Sequence, residues 1–222
     1  MYSYQIVTPP TDPPLAASDL RDWLRTSDTS EDDLLADLID AAQDKFTVDS
    51  GGAVLGSTVF KLYLDHWPTV YYDYRDQPNY SPWAVPFPYS PFSTLPNLVV
   101  PCIFIARRPV TEISTVEYLD QSGTWQALDG STWAADTTGY PARVILPPTL
   151  PLVNQTTKPT VRVTFTAGYA DPPSMAVQAV RLLAAHWYTN REAFGNEMKE
   201  LPAGWLSVCK RFSTGVSGDW NR

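Results

Sequence analysis

The sequence predicts an α+β fold. It reads as an N-terminal helix pair, a central antiparallel β-region with a long Pro/aromatic loop, and a long C-terminal helix followed by a mobile tail. Three observations predict this. Leu34, Leu35, Leu38, Ile39, Ala42 and Phe46 recur at helical spacing behind the acids Glu31, Asp32 and Asp33, which suit the positive end of a helix dipole. Between Ser57 and Trp67, Val59, Lys61, Tyr63 and Asp65 alternate with Phe60, Leu62 and Leu64, the period of a strand. From Thr160 to Glu192 the chain reads strand, break, helix. Val161, Val163 and Phe165 alternate with Arg162, Thr164 and Thr166; Gly168 and Pro172-Pro173 interrupt; Val177, Val180, Leu183, Ala184, Trp187 and Tyr188 then form an apolar stripe.

Each element follows in chain order. Residues 1–14 contain Pro9, Pro10, Pro13 and Pro14 and are expected to be an extended arm, neither helix nor central strand. A short helix from Ser18 to Arg25 has Leu20, Trp23 and Leu24 on its apolar side. The second helix takes Ser30 as N-cap and ends at Gly51-Gly52, with a hairpin turn at Asp28-Thr29. After the strand at 57–67, further strands are expected at 102–106, 112–119, 124–128, 142–146 and 160–166. Gln121-Ser122-Gly123 supplies a hairpin turn between the 112–119 and 124–128 strands. Ser174 is placed to cap the long helix 174–192. A short helix from Ala203 to Phe212 carries Trp205, Leu206, Cys209 and Phe212 on one side, and the Gly/Ser-rich Ser213–Arg222 is expected to be mobile. The organisation is therefore an arm at 1–14, a single α+β domain at 15–195, and a tail at 196–222 that includes the short helix.

Residues 68–101 hold eight prolines, eight aromatics and three charges. No regular helix tolerates that composition, so the segment is either a packed Ω-like loop or a protruding arm. Tyr72, Tyr74, Tyr80, Trp83, Phe87, Tyr89 and Phe92 within it would make a strong partner-contact surface, or else would cover the protein's own sheet.

Charge placement narrows the function. Net charge is −8, and residues 1–50 alone hold eleven acids and three bases, while the remainder balances thirteen of each sign. That disfavours ordinary phosphate-backbone binding, which needs clustered Lys and Arg. It fits a surface that repels DNA, or a solvated face. No apolar run approaches the ~20 residues of a membrane span. The start, Met1 to Gln5, lacks a basic, apolar signal, which predicts folding in a cytoplasm or prior removal of a signal. Cys102, in the run Cys102-Ile103-Phe104-Ile105, reads as a buried reduced thiol, and a disulfide to Cys209 is unsupported.

Catalytic patterns are missing. Asp49-Ser50-Gly51-Gly52 resembles a serine-protease nucleophile segment, but the only histidines, His66 and His186, both follow it, against that family's chain order. Two distant histidines and two isolated cysteines give no zinc spacing, and His186 reads as a satisfied, partly buried side chain. There is no Gly-rich phosphate loop and no Gly-x-Gly-x-x-Gly. Gly215-Val216-Ser217-Gly218 has no strand before it and makes no nucleophile elbow. A glycosidase carboxylate pair leaves no local signature and stays a distant option. No enzyme activity, catalytic residue, metal or cofactor is expected.

The order of segments carries a resemblance. Ser30-Glu31-Asp32-Asp33-Leu34-Leu35 opens the second helix. Ala106-Arg107-Arg108-Pro109-Val110 and Ile113-Ser114-Thr115-Val116-Glu117-Tyr118-Leu119-Asp120 follow in the β-region. Phe165-Thr166-Ala167-Gly168-Tyr169 precedes the prolines and a helix bearing Trp187-Tyr188-Thr189-Asn190-Arg191-Glu192. Together, across most of residues 15–195, these resemble the head–tail connector (adaptor, or head-completion) proteins of tailed bacteriophages. The resemblance implies a structural virion protein made in the host cytoplasm and placed at the neck. It implies a ring of about twelve copies beneath the portal protein, a docking face for a downstream neck or tail protein, and a channel through which double-stranded DNA passes without specific binding. It also implies that the C-terminal segment meets the portal, through residues near Trp205, Leu206, Lys210, Arg211 and Phe212. The 68–101 segment is longer and more aromatic than the family pattern. Within a ring, the acidic helix pair suits a lumen wall. Asp33, Asp37, Asp40 and Asp44 share one helix side at steps of three and four, and are expected, with Asp32, to include lumen-facing residues. The alternative is a virion surface-binding module that uses the 68–101 aromatics to hold a receptor or glycan.

Overall fold

The computed structural model describes residues 2–10, 13–68, 101–190, 202 and 204–213. The aromatics Tyr72, Tyr74, Tyr80, Trp83, Phe87, Tyr89 and Phe92 lie outside them, as does the tail beyond Ser213.

The chain begins with β1 (Tyr2–Thr8), α1 (Ala17–Leu24), α2 (Asp32–Asp49) and β2 (Thr58–Leu64). Then come β3 (Cys102–Ile105), β4 (Val110–Leu119), β5 (Trp125–Ala127), β6 (Ala134–Asp136), β7 (Ala142–Ile145) and β8 (Val161–Ala167). Two helices close it, α3 (Ser174–Thr189) and α4 (Trp205–Phe212). The α+β class is as expected. The single β-region is in fact two sheets, ordered β1-β2-β8-β4-β5 and β3-β7-β6, with every named pair antiparallel.

The alternation read in the sequence sets the first core. In β2 and β8 every second residue is buried, and the register pairs Phe60 with Phe165, Leu62 with Val163 and Leu64 with Val161. These side chains share one sheet face and meet Ile103, Ile105 and Val144 of the second sheet. The Phe60 and Phe165 rings stack at 5.5 Å, and Tyr4 meets Phe165 edge-on at 6.2 Å. Glu117 of β4 and Arg162 of β8 stand opposite each other and bond in a two-pronged pair, both at 2.7 Å.

The helices make a second core. Leu35, Ile39, Ala42 and Phe46 of α2 face Ala176, Val180, Leu183 and Ala184 of α3, with Leu20 of α1 and Trp205 and Cys209 of α4. Three details differ from expectation. Ser30 does not cap α2: its N–H donates to Asp28 Oδ1 at 2.8 Å, so the turn captures it and Glu31 takes the cap position. Ser174 is the first helical residue of α3, because Pro173, at φ −58°, holds the boundary. Helix α3 stops at Thr189, short of 192; Thr189 Oγ1 and Asn190 Nδ2 donate to the Ala185 and His186 carbonyls at 2.7 and 2.8 Å and satisfy its end.

Other corrections are smaller. Within the expected arm, residues 2–8 pair with β2 as the sheet's edge strand. Strand β6, Ala-Ala-Asp, was not predicted; Asp136 binds Arg143 Nε at 2.8 Å and holds it to β7. Cys102 is half-buried, not buried, and neither cysteine is in a disulfide. The hairpin turn stands where expected: Asp120 Oδ1 accepts the N–H groups of Ser122 and Thr124 at 2.9 Å, and Gly123 has φ +85°.

The two cores join where α2 ends. Gly51 and Gly52 turn the chain at φ +71° and +114°, and Ala53 forms a parallel bridge with Arg108. Arg108 N–H donates to the Gly52 carbonyl at 3.0 Å, and Val54 N–H to the Arg108 carbonyl at 2.9 Å. A Cβ on Gly52 would lie 2.1 Å from the Ala106 carbonyl oxygen, so no other residue fits without moving the backbone.

Gly52→Ala is expected to destabilise the fold by more than the ~1–3 kcal/mol of a strained backbone, since the clash adds to it; urea unfolding checks this. The Glu117–Arg162 pair gives a pH signature. Hydrogen bonding to Arg162 holds the Glu117 carboxyl below its usual 4.5. Its stabilisation is complete above that usual value and is lost as pH falls toward the folded one. Acid unfolding curves of the protein and of Glu117→Gln should therefore separate above about pH 4.5 and converge below it.

Candidate functional site

Among the described residues no group of three or more His, Cys, Asp and Glu could hold a metal ion, and no helix is long and apolar enough to cross a membrane. The functional candidates are surfaces.

The first is α4. Its inner side is fastened to α2 by packing and by one carboxylate. Phe46 lies between the rings of Trp205 (6.0 Å) and Phe212 (5.6 Å). The Trp205 indole N–H donates to Asp49 Oδ2 at 2.7 Å, and Lys45 Nζ reaches the same oxygen at 3.0 Å. Cys209 is buried there, and desolvation pushes its thiol up to about 11, so it is a neutral packing group. The sequence-predicted contact residues therefore divide. Trp205, 3% exposed, is a core anchor, and Phe212 packs against the same core. Leu206 is 56% exposed and leaves the apolar side it was assigned to; Lys210 and Arg211 are exposed with it. The helical phase explains the split, because Trp205, Cys209 and Phe212 follow steps of four and three while Leu206 falls a residue off that line. Beside α4, an apolar groove of about 190 Å³ is lined by Met175, Leu182, Pro202 and Val208, among others.

The second surface is the acidic side of α2. Asp33, Asp37, Asp40 and Asp44 are all exposed, and by helical phase they stand opposite the buried Leu35–Ile39–Ala42–Phe46 stripe. The nearby bases are engaged elsewhere: Arg21 bonds Asp32 at 2.7 Å and Lys45 bonds Asp49. Asp32 thus belongs to the helix-pair contact and not to the stripe. Partial burial raises the Asp40 carboxyl, and the charges of Asp44 and Asp37 add to this.

The third feature was not foreseen. A cleft of about 380 Å³ opens between β1 and α2. Tyr4, Ile6 and Phe60 line its sheet side, and Asp40, Asp44 and Thr47 its helix side. Arg107 also lines it; its guanidinium sits 4.5 Å over the Tyr4 ring, while its buried Nε has no hydrogen-bond partner among the described residues. Arg107 and Arg108 were visible as a motif, yet their roles depend on Tyr4 and Tyr140, far away in sequence; Arg108 stacks 4.9 Å over Tyr140.

No family model matches the chain, and no curated protein does. Solved structures do. A chain in the neck of an empty GTA particle, computed with C6 symmetry, superposes with TM-score 0.69 at 20% identity, over 99% of this chain and 100% of that one. A chain of the virion of the native gene transfer agent (GTA) particle gives 0.67 at 20% identity, over 99% of each. One from the neck of the native GTA particle, computed with C12 symmetry, gives 0.65 at 20% identity over 99% and 100%. Across its full length, this chain has the fold of chains solved in the neck and virion of a gene transfer agent particle.

Proposed function

We propose that this chain is a structural neck protein: a ring-forming adaptor that joins the portal of a phage head to the tail and extends the DNA channel. One observation carries the proposal: the end-to-end match of its fold to neck chains from particles treated with six- and twelve-fold symmetry. The segment order that resembles head–tail connectors points the same way, as does a surface rich in contact features and poor in chemistry. The ring has about twelve copies in this reading, and its closure requires two different faces on each copy.

The portal contact is assigned to the outward face of α4. Leu206 supplies an apolar anchor, and Lys210 and Arg211 steer the approach. Trp205 and Phe212 act from beneath, by fixing the helix on α2. The acidic stripe of α2 is assigned to the channel wall, foremost through Asp33 and Asp37 at its start, where carboxylates outside any ion pair among the described residues repel the DNA backbone and let it slide. The downstream neck or tail protein meets the opposite side of the ring, and the aromatic segment at 68–101 is a further partner-contact candidate.

Co-sedimentation with the portal protein of the same particle tests the assignment. The unmodified chain should sediment with it as a stacked ring. Combined Leu206→Glu, Lys210→Glu and Arg211→Glu should weaken binding by ~10-fold or more, about 1.4 kcal/mol, and leave the fold intact, because all three side chains are exposed. Undiminished binding would move the portal contact elsewhere. For the channel wall, particles carrying Asp33→Lys and Asp37→Lys should release DNA several-fold more slowly at low salt and recover at high salt, as screening removes the attraction. Release rates equal to the parent's at every salt concentration would take the stripe off the channel.

A further inference from the structure

The strand β1 ends its sheet, and among the described residues no strand pairs with its outer side. It is seven residues long, roughly 24 Å at ~3.4 Å per residue. Edges of that length are normally blunted by lysine, proline or an inward charge. Tyr2–Thr8 contains no charged residue and no proline, and its one irregularity lies near its far end, between Ile6 and Thr8. Ile6 and Val7 are 56% and 46% exposed. The edge is therefore an unprotected template for another strand.

What such a strand would meet is also defined. Tyr4 and Ile6 pair with Leu62 and Phe60, so they lie on the core-facing side of the sheet. Side chains of an added strand on that side would project over the cleft, toward Asp40 and Asp44. The two carboxylates are one helical turn apart, and the base on their own helix, Lys45, is already held by Asp49. Arg107 is stacked on Tyr4. The cleft thus accepts a cation over an aromatic and aliphatic floor.

We infer that the free edge of β1 and the cleft beneath it form one receptor for an extended segment of another protein, carrying lysine or arginine on its core-facing side. The mode is strand addition, with backbone bonds supplying affinity and the acidic cleft supplying selectivity. The described strands of a second copy fit poorly. The other free strand edges among the described residues are those of β3, β5, β6 and the first half of β4; they carry no lysine or arginine, and β4 and β6 bring Glu112 and Asp136. The inference rests on the neck reading for the origin of the partner, a neighbouring neck or tail protein. Asp33 and Asp37 then serve the channel wall, and Asp40 and Asp44 the strand.

Two fluorescent ten-residue peptides of alternating threonine and valine test this on the full chain. One carries two lysines on the same face, the other two glutamates at the same places. The lysine peptide should bind ~10-fold or more tightly than the glutamate peptide at low salt. Binding should slow hydrogen exchange in Tyr2–Thr8, and Asp40→Lys with Asp44→Lys should invert the preference. Equal binding of both peptides, protection confined to other segments, or no binding at about 1 mM would each overturn the receptor. A chain that sediments with the portal yet ignores both peptides loses only this inference. A chain that discriminates between the peptides but never joins the portal loses the neck reading instead.

Discussion

Two cores have to be held in one orientation, and the close approach of Gly52 to Ala106 does it. One core fills the space between the sheets and the other the space among the helices. The chain passes between them at the exit of α2, where a backbone with φ +114° lies against a carbonyl with no room for a side chain. Around this point, bonds from several directions converge. Ser50, buried at 1%, accepts the Ala53 N–H through Oγ, Tyr140 O–H donates to the Gly51 carbonyl at 2.6 Å, and Arg108 exchanges backbone bonds with Gly52 and Val54. Arg108 sits in a desolvated spot that lowers its proton affinity, yet stacking on Tyr140 keeps its charge accommodated. Because the joint is made of backbone, it resists shear better than an interface of flexible side chains would.

That rigidity gives the surface its logic. The acidic stripe, the cleft and the outward face of α4 all depend on α2: the stripe is its outer side, the cleft is one flank, and Asp49 at its end fastens α4. A single 18-residue helix therefore fixes the relative directions of three contact surfaces. The ring-forming adaptor proposed above would have that geometric need, since each copy must present different faces to its neighbours, to the component above and to the one below.

Much of the fold was legible, and the reasons are local. Strand β2 shows period two because one face is buried, and α2 shows its stripe because the opposite side is solvent. The Asp120 turn was legible because its bonds span four residues. What escaped was decided at long range. Strand β1 was hidden by the prolines after it, and only pairing with β2 makes it a strand. Strand β6 has two alanines and an aspartate, which carry no β-propensity. Leu206 was placed on the wrong side because an eight-residue helix leaves its phase ambiguous until Phe46 selects Trp205, Cys209 and Phe212. Among candidate site residues, the α2 aspartates were legible as a face; Asp49 and Arg107 were not, because their partners lie 156 residues ahead and 103 behind.

The Asp49–Trp205 clasp means that the C-terminal helix belongs to the body of the protein and not only to its reach. Peeling α4 away would bare the Phe46 ring and leave the Asp49 carboxylate without its indole donor. Attachment to a partner through the outward side of α4 therefore pulls directly on the helical core. In the proposed neck role, load would enter each copy through a tryptophan wedge and leave through the sheet, so the domain would bear tension as one piece.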